Sequence, residues 1–311
     1  MAIHLFSLAS ELHDEKVVVA SAKAFLDALE EQLGTVLVPT EKPIKSDEPQ
    51  VVYVTTGGVE GQYQKHFPQP PKSVYLLTHE ANNSLAAALE IASFERARGA
   101  KVEVLHGSAE LVGDRLREIE TIYFARSSLN GARLGIIGKP SDWLIGSPYC
   151  SEFAHETLGV ELVNIEMSEL EALLDEPPLG LSDEEHELLP KLQKLAFNAE
   201  SLKQALFVYK VLKHLAKTHR LDGLTLRCFD LVTQRKLTAC LALALMNKEG
   251  TLAGCEGDVP TLLSMALLRA LSRGNVFQAN PAHIDEDNNI ITLAHCTIPI
   301  DMPCEYGLNT H

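Results

Sequence analysis

Two short stretches carry the residue types that could do chemistry: Gly254-Cys255-Glu256-Gly257-Asp258 and Leu293-Ala294-His295-Cys296-Thr297. The first sets two carboxylates beside two glycines at the end of an apolar run. The second sets an imidazole at the end of another. Strand ends in α/β proteins direct side chains into a crevice instead of a packed face. A carboxylate with an imidazole is a mixed oxygen and nitrogen donor set, which suits a divalent cation such as Mn²⁺ or Zn²⁺. A plainer role meets the same spacing: Glu256 and Asp258 cap the helix that follows, since acids are favoured at helix starts.

The elements that position these residues follow from the hydrophobic pattern. Residues 3–9, 50–55, 73–78 and 101–105 read as strands, and 15–33 and 83–98 as helices that stop at Gly34 and Gly99. Strands separated by helices imply right-handed crossovers and a parallel sheet. The same alternation restarts at Arg133, with strands at 134–137, 160–165 and 223–229, helices at 237–246 and 259–271, and a strand leading to Glu256. Residues 181–221 read as a long charged helical stretch with a break near Asn198, expected to form a solvated outer layer. Asn280 is expected to end a strand. Residues 285–289 are a turn between it and the strand that carries His295, so a hairpin is expected and the architecture turns antiparallel.

The expectation is therefore an α/β protein with two Rossmann-like parallel-sheet domains, residues 1–131 and 132–273, followed by the antiparallel start of a β-rich C-terminal domain, 274–311. Three loops need a reading of their own. Gly57-Gly58 follows a strand but lacks the dinucleotide fingerprint, so a plain turn is expected rather than a phosphate cradle. Asn82-Asn83-Ser84 has the composition of a helix N-cap. Trp143, the only tryptophan, follows Lys139, Ser141 and Asp142. Such a group suits a sugar ring, although a tryptophan just inside a helix is more often core.

Composition narrows the function. A chain of 311 residues, 46% hydrophobic, is long enough for two or three domains. A net charge of −15 argues against nucleic acid or an anionic membrane as the main partner. No apolar run approaches the ~20 residues needed to span a membrane. Met1-Ala2-Ile3-His4 has no basic region of a secretory signal. The six cysteines, at 150, 228, 240, 255, 296 and 304, form no Cys-x-x-Cys pair. Reduced thiols and a cytoplasmic protein are expected. A zinc cluster of Cys255, His295, Cys296 and Cys304 lacks the tight ligand pairs usual in such sites.

Six motifs occur in order along nearly the whole chain: Thr56-Gly57-Gly58, Asn82-Asn83-Ser84-Leu85-Ala86-Ala87-Ala88-Leu89-Glu90, Gly138-Lys139-Pro140-Ser141-Asp142-Trp143-Leu144-Ile145, Arg227-Cys228-Phe229-Asp230, Gly254-Cys255-Glu256-Gly257-Asp258 and Ala294-His295-Cys296-Thr297. Together they resemble the fucose isomerase-like proteins of the fucose and arabinose isomerase superfamily. The resemblance implies Mn²⁺-dependent interconversion of an aldose and a ketose, a small sugar as substrate, and a homo-oligomer, trimeric or hexameric. It implies a metal held by two acidic residues and histidine between the second unit and the C-terminal domain. Glu256 matches the first acid, His295 matches a histidine at the metal, and Asn280 stands where the second acid is expected. Trp143, Arg227 and Asp258 are expected along the sugar pocket. The family carries a further β-rich segment after this point, so the C-terminal domain is expected in truncated form.

The chemistry so implied moves a carbonyl between two adjacent carbons. A carboxylate pair, one on each face of the enediol, carries the proton from one carbon to the other, with Glu256 as one member, while a chelated metal stabilises the enediolate. Asn280 is the departure: its carbonyl can ligate a cation, but it cannot serve as a base. The alternative is a non-catalytic sugar-binding or regulatory relative.

Overall fold

The computed structural model describes residues 2–11, 15–45, 48–177, 190, 192 and 198–308. The chain divides into two compact units, residues 1–127 and 128–311.

The first unit is a five-stranded parallel sheet in the order β2-β1-β3-β4-β5. Its strands are β1 (His4–Leu8), β2 (Val38–Thr40), β3 (Gln50–Val54), β4 (Ser73–Leu77) and β5 (Lys101–Leu105). The helices are α1 (Glu15–Leu33), α2 (Glu60–His66), α3 (Ser84–Ala97) and α4 (Ala109–Leu129). Strand side chains alternate between two cores, as the pleat requires. Val51, Tyr53 and Leu77 face Leu29 of α1 and Leu116 of α4. Val52, Val54 and Leu76 face Ala88 and Ile91 of α3. A sheet buried on both faces needs the near-continuous apolar strands that this sequence has. Gly57 is more than a turn residue. Its N–H donates to the Asn82 carbonyl at 2.8 Å, and a Cβ on it would stand 3.1 Å from that of Asn83. Asn83 does not cap α3 through its side chain; it sits at φ +56°, and the Ser84 hydroxyl bonds the Val54 carbonyl instead.

The second unit repeats the plan with a four-stranded parallel sheet, order β7-β6-β8-β9. Its strands are β6 (Arg133–Ile137), β7 (Glu161–Ile165), β8 (Gly223–Leu226) and β9 (Leu252–Cys255). Around them lie α5 (Ser151–Leu158), α6 (Met167–Leu174), α7 (Ala199–His219), α8 (Cys228–Arg235), α9 (Cys240–Glu249) and α10 (Val259–Ser272). Helix α10 packs on β8 and β9, and α9 packs on β9 and α7. A two-stranded antiparallel hairpin follows, β10 (Asn280–Asp285) and β11 (Ile290–Ala294).

Three expectations change. The stretch 181–221 is not a solvated layer where it is described: Leu202, Leu206, Tyr209, Leu212 and Leu215 of α7 are buried in the unit's core, at the i, i+3, i+4 spacing of one helix face. Its first half lies largely outside the described residues. Asn198, the expected break, caps α7 by accepting from the N–H groups of Glu200 and Ser201 at 2.8 and 3.3 Å. The strand read over 223–229 ends at Leu226, and Cys228 already opens α8. Asn280 begins a strand instead of ending one, because the residues before it use side-chain bonding: the Gln278 Oε1 accepts the Cys255 N–H at 2.7 Å, in place of a backbone ladder.

Both strands of the hairpin are exposed, and Ile284, Ile290, Ile291 and Leu293 stand more than half open. Among the described residues no helix is long and apolar enough to cross a membrane.

Candidate functional site

In the second sheet, the connection leaving β6 runs to β7 on one side and the connection leaving its neighbour β8 runs to β9 on the other. Such a reversal of strand order opens a crevice at the strand C-termini. The segments leaving these ends are 138–143 after β6, Arg227 after β8 and Glu256 after β9. Glu256 and Gly257 form a left-handed turn at φ +63° and +69°. The turn is clamped against the 138–142 loop. The Glu256 carbonyl accepts from the Ser141 N–H at 2.9 Å, and the Gly257 N–H donates to the Leu226 carbonyl at 3.0 Å. A Cβ at 257 would lie 2.6 Å from the Lys139 carbonyl oxygen, so only glycine allows this approach.

Trp143 is not core. It is 53% exposed in a turn, its indole Nε1 donates to Glu256 Oε2 at 2.9 Å, and its ring meets Phe229 edge-on at 5.0 Å. Arg227 is bonded within the protein. Its Nε bonds Asp230 at 3.0 and 3.1 Å, and its terminal nitrogens bond the Pro140 carbonyl at 2.6 Å and Asp142 at 2.7 Å. Those bonds hold the loop that carries Trp143. The guanidinium in turn holds the Asp142 carboxyl below the usual range, first by hydrogen bonding and then by charge. Asp258 takes the capping role: it accepts from the Thr261 N–H at 2.9 Å and the Thr261 hydroxyl at 2.8 Å.

A cavity of about 230 Å³ brings Glu256, Asn280 and His295 together. Hairpin register places Asn280 opposite Ala294, beside His295. Trp143, Arg227 and Asp258 are not among the residues lining it. Cys228, Cys240, Cys255 and Cys296 are; the sequence paired only Cys255 with Cys296, and the approach of Cys228 and Cys240 was not foreseen. The His295 Nδ1 pairs with the Thr297 hydroxyl at 2.8 Å. Hydrogen bonding from Cys240, then from Cys255, pushes the Cys296 thiol well down, and the Cys296 sulfur beside the ring pushes His295 up. A neighbouring groove of about 570 Å³, along α7, α9 and residues 298–308, shares Cys240, His295 and Cys296. Among the described residues no group of three or more His, Cys, Asp or Glu side chains is arranged to hold a metal ion. Glu256 and His295 are two such donors, and Asn280 lines the same cavity.

No protein-family profile matches the chain. It is similar to proteins named sulfoquinovose isomerase: one from Priestia aryabhattai and one from Priestia megaterium, each 27% identical over 185 residues. Another, from Clostridium sp., is 30% identical over 182 residues. The Priestia alignments cover 58% of this chain and 41% of the relative, the Clostridium one 56% and 39%. The chain thus spans about two fifths of the length of the curated relatives it matches. Over the aligned residues this chain is a relative of sugar isomerases.

Proposed function

We propose that this chain carries a divalent-cation-dependent aldose–ketose isomerase site acting on a free sugar. The observation that supports the reading is the single cavity lined by Glu256, Asn280 and His295. These residues fit a cation such as Mn²⁺. Glu256 keeps Oε1 outside its bond with Trp143, His295 keeps Nε2 outside its pairing with Thr297, and the Asn280 amide oxygen is a neutral ligand. Bound there, the cation would polarise the sugar carbonyl and neutralise developing negative charge.

The remaining work falls to the chain. Trp143 orients the Glu256 carboxylate through its N–H, and Arg227 holds the loop that places Trp143. Glu256 takes the proton from the carbon next to the carbonyl, giving the enediolate, and returns it to the neighbouring carbon, while the hydroxyl proton passes from O2 to O1. One carboxylate can serve both carbons when the proton leaves and returns on the same face of the enediol, so the neutral Asn280 does not exclude turnover. The relatives' name points to a sulfonated sugar as one substrate to try. The exposed apolar hairpin supports a homo-oligomer.

Asn280 also supports a second reading, a sugar-binding relative without turnover. Calorimetric Mn²⁺ titration tests the site: wild type binds, Glu256→Gln abolishes binding and Asn280→Asp tightens it. Equal affinities in all three sink the metal site. Deuterium uptake at C2 of candidate sugars in deuterated water then separates isomerase from binder.

A further inference from the structure

Cys228 opens α8 and Cys255 ends β9. Strands β8 and β9 pair in parallel with Leu226 opposite Cys255, so the turn out of β8 lays Cys228 over the end of β9. The two sulfurs lie 2.9 Å apart. That is closer than non-bonded sulfur atoms normally approach, and a short step from the ~2.05 Å of a disulfide. Both side chains are buried, yet both line the 230 Å³ cavity whose wall also holds the exposed Cys296, so a small solute can reach them through it. Neither sulfur has a part in the isomerase chemistry proposed above.

We propose that Cys228 and Cys255 are a reversible oxidation site that a hydroperoxide converts from dithiol to disulfide. One sulfur attacks the peroxide oxygen, the O–O bond breaks, and a sulfenic acid and water (or an alcohol) result. The second sulfur then attacks the sulfenic sulfur, the S–O bond breaks, and water leaves as the S–S bond forms. Two electrons pass from the sulfurs to the peroxide, and both thiol protons end on oxygen. In a reducing compartment such a bond is transient and serves sensing rather than stability. The site carries its own reporter. Trp143 donates to Glu256, the neighbour of Cys255, and its ring edges Phe229, the neighbour of Cys228. Drawing the two sulfurs together moves both contacts of the only tryptophan in the chain.

The test uses the full chain, reduced, desalted and titrated with hydrogen peroxide, then alkylated, digested and mapped by mass. The expected product is lighter by two hydrogens, has lost two of six alkylation sites, and yields a peptide joining residues 228 and 255. Tryptophan emission changes with the same titration and recovers with dithiothreitol. Cys228→Ala removes the link and the emission change, whereas Cys296→Ala keeps both. Six alkylated cysteines after peroxide, a link through Cys240 or Cys296, or an unchanged emission response in Cys228→Ala would each overturn the proposal. The wild-type peptide map decides alone if a variant does not fold. No arm requires a metal or a sugar, so the outcome is independent of the isomerase reading.

Discussion

Adding one methyl group at Gly257 tests how tightly the Glu256 turn is held. At φ +69° the backbone is left-handed, where a residue with a Cβ loses about 1–2 kcal/mol. The new Cβ would also meet the backbone of the 138–142 loop: 2.6 Å to the Lys139 oxygen, and 3.0 Å to the Lys139 carbonyl carbon and the Pro140 Cα. No rotamer relieves that, so the 138–142 loop has to retreat by at least about 0.4 Å to reach the closest Cβ contacts that proteins tolerate. The loop is not free to move, because the Ser141 N–H bonds Glu256 and Arg227 bonds Pro140. Such overpacking adds about 1–3 kcal/mol. Gly257→Ala should therefore destabilise the second unit by about 2–5 kcal/mol. Gly146→Ala, which meets nothing within 4 Å, should stay within about 0.5 kcal/mol of wild type. Urea unfolding followed by Trp143 emission isolates the second unit, since the first has no tryptophan. If Gly257→Ala unfolds at the wild-type midpoint, the clamp described here is wrong.

Asp258→Ala should cost about 1 kcal/mol in the same urea assay, as loss of a helix cap, and leave Mn²⁺ affinity unchanged. His79, buried with its Nδ1 against the Tyr53 hydroxyl and its Nε2 without a partner, is held below 6.5 by burial first and by the charge of His106 second. The unfolded chain then accepts a proton that the folded one resists, so this stability is present above about pH 6.5 and lost as pH falls towards the folded value. Thermal melts from pH 8 to 5 should show that loss, and His79→Phe should flatten it. If the hairpin closes a contact between copies, Ile291→Asp should shift sedimentation towards a 34.1 kDa species; an unchanged profile removes the hairpin from the interface.

The parallel strands other than β2 were legible because strands buried on both faces must be apolar throughout; β2, three residues at the sheet edge and largely exposed, carries no such run and was not read. Helix α4 was not, since Gly113 interrupts its pattern. That glycine lets the helix approach α1, where a Cβ would stand 3.2 Å from the Gln32 Cβ. Glu256 and His295 could be picked out as strand-end residues, and their meeting at one cavity depends on the hairpin that the turn at 285–289 announced. Arg227 could not be assigned from sequence. Its partners Pro140 and Asp142 lie more than eighty positions away, and nothing local tells an arginine that binds a ligand from one that braces a loop. Gln278 was passed over for a related reason: a side chain replacing a strand's backbone ladder leaves no periodic trace.

Glu256 itself stands in left-handed backbone, where glycine or asparagine rests more easily. Exchanging it for glycine or alanine removes the same carboxylate, yet the glycine variant should be the more stable by about 1 kcal/mol, the reverse of their order in a helix. The candidate catalytic carboxylate therefore occupies a position that optimisation for folding alone would hand to glycine. A redesign of this chain scored only on thermal stability would favour deleting it, and the improved scaffold would emerge stripped of the group on which its proposed chemistry depends.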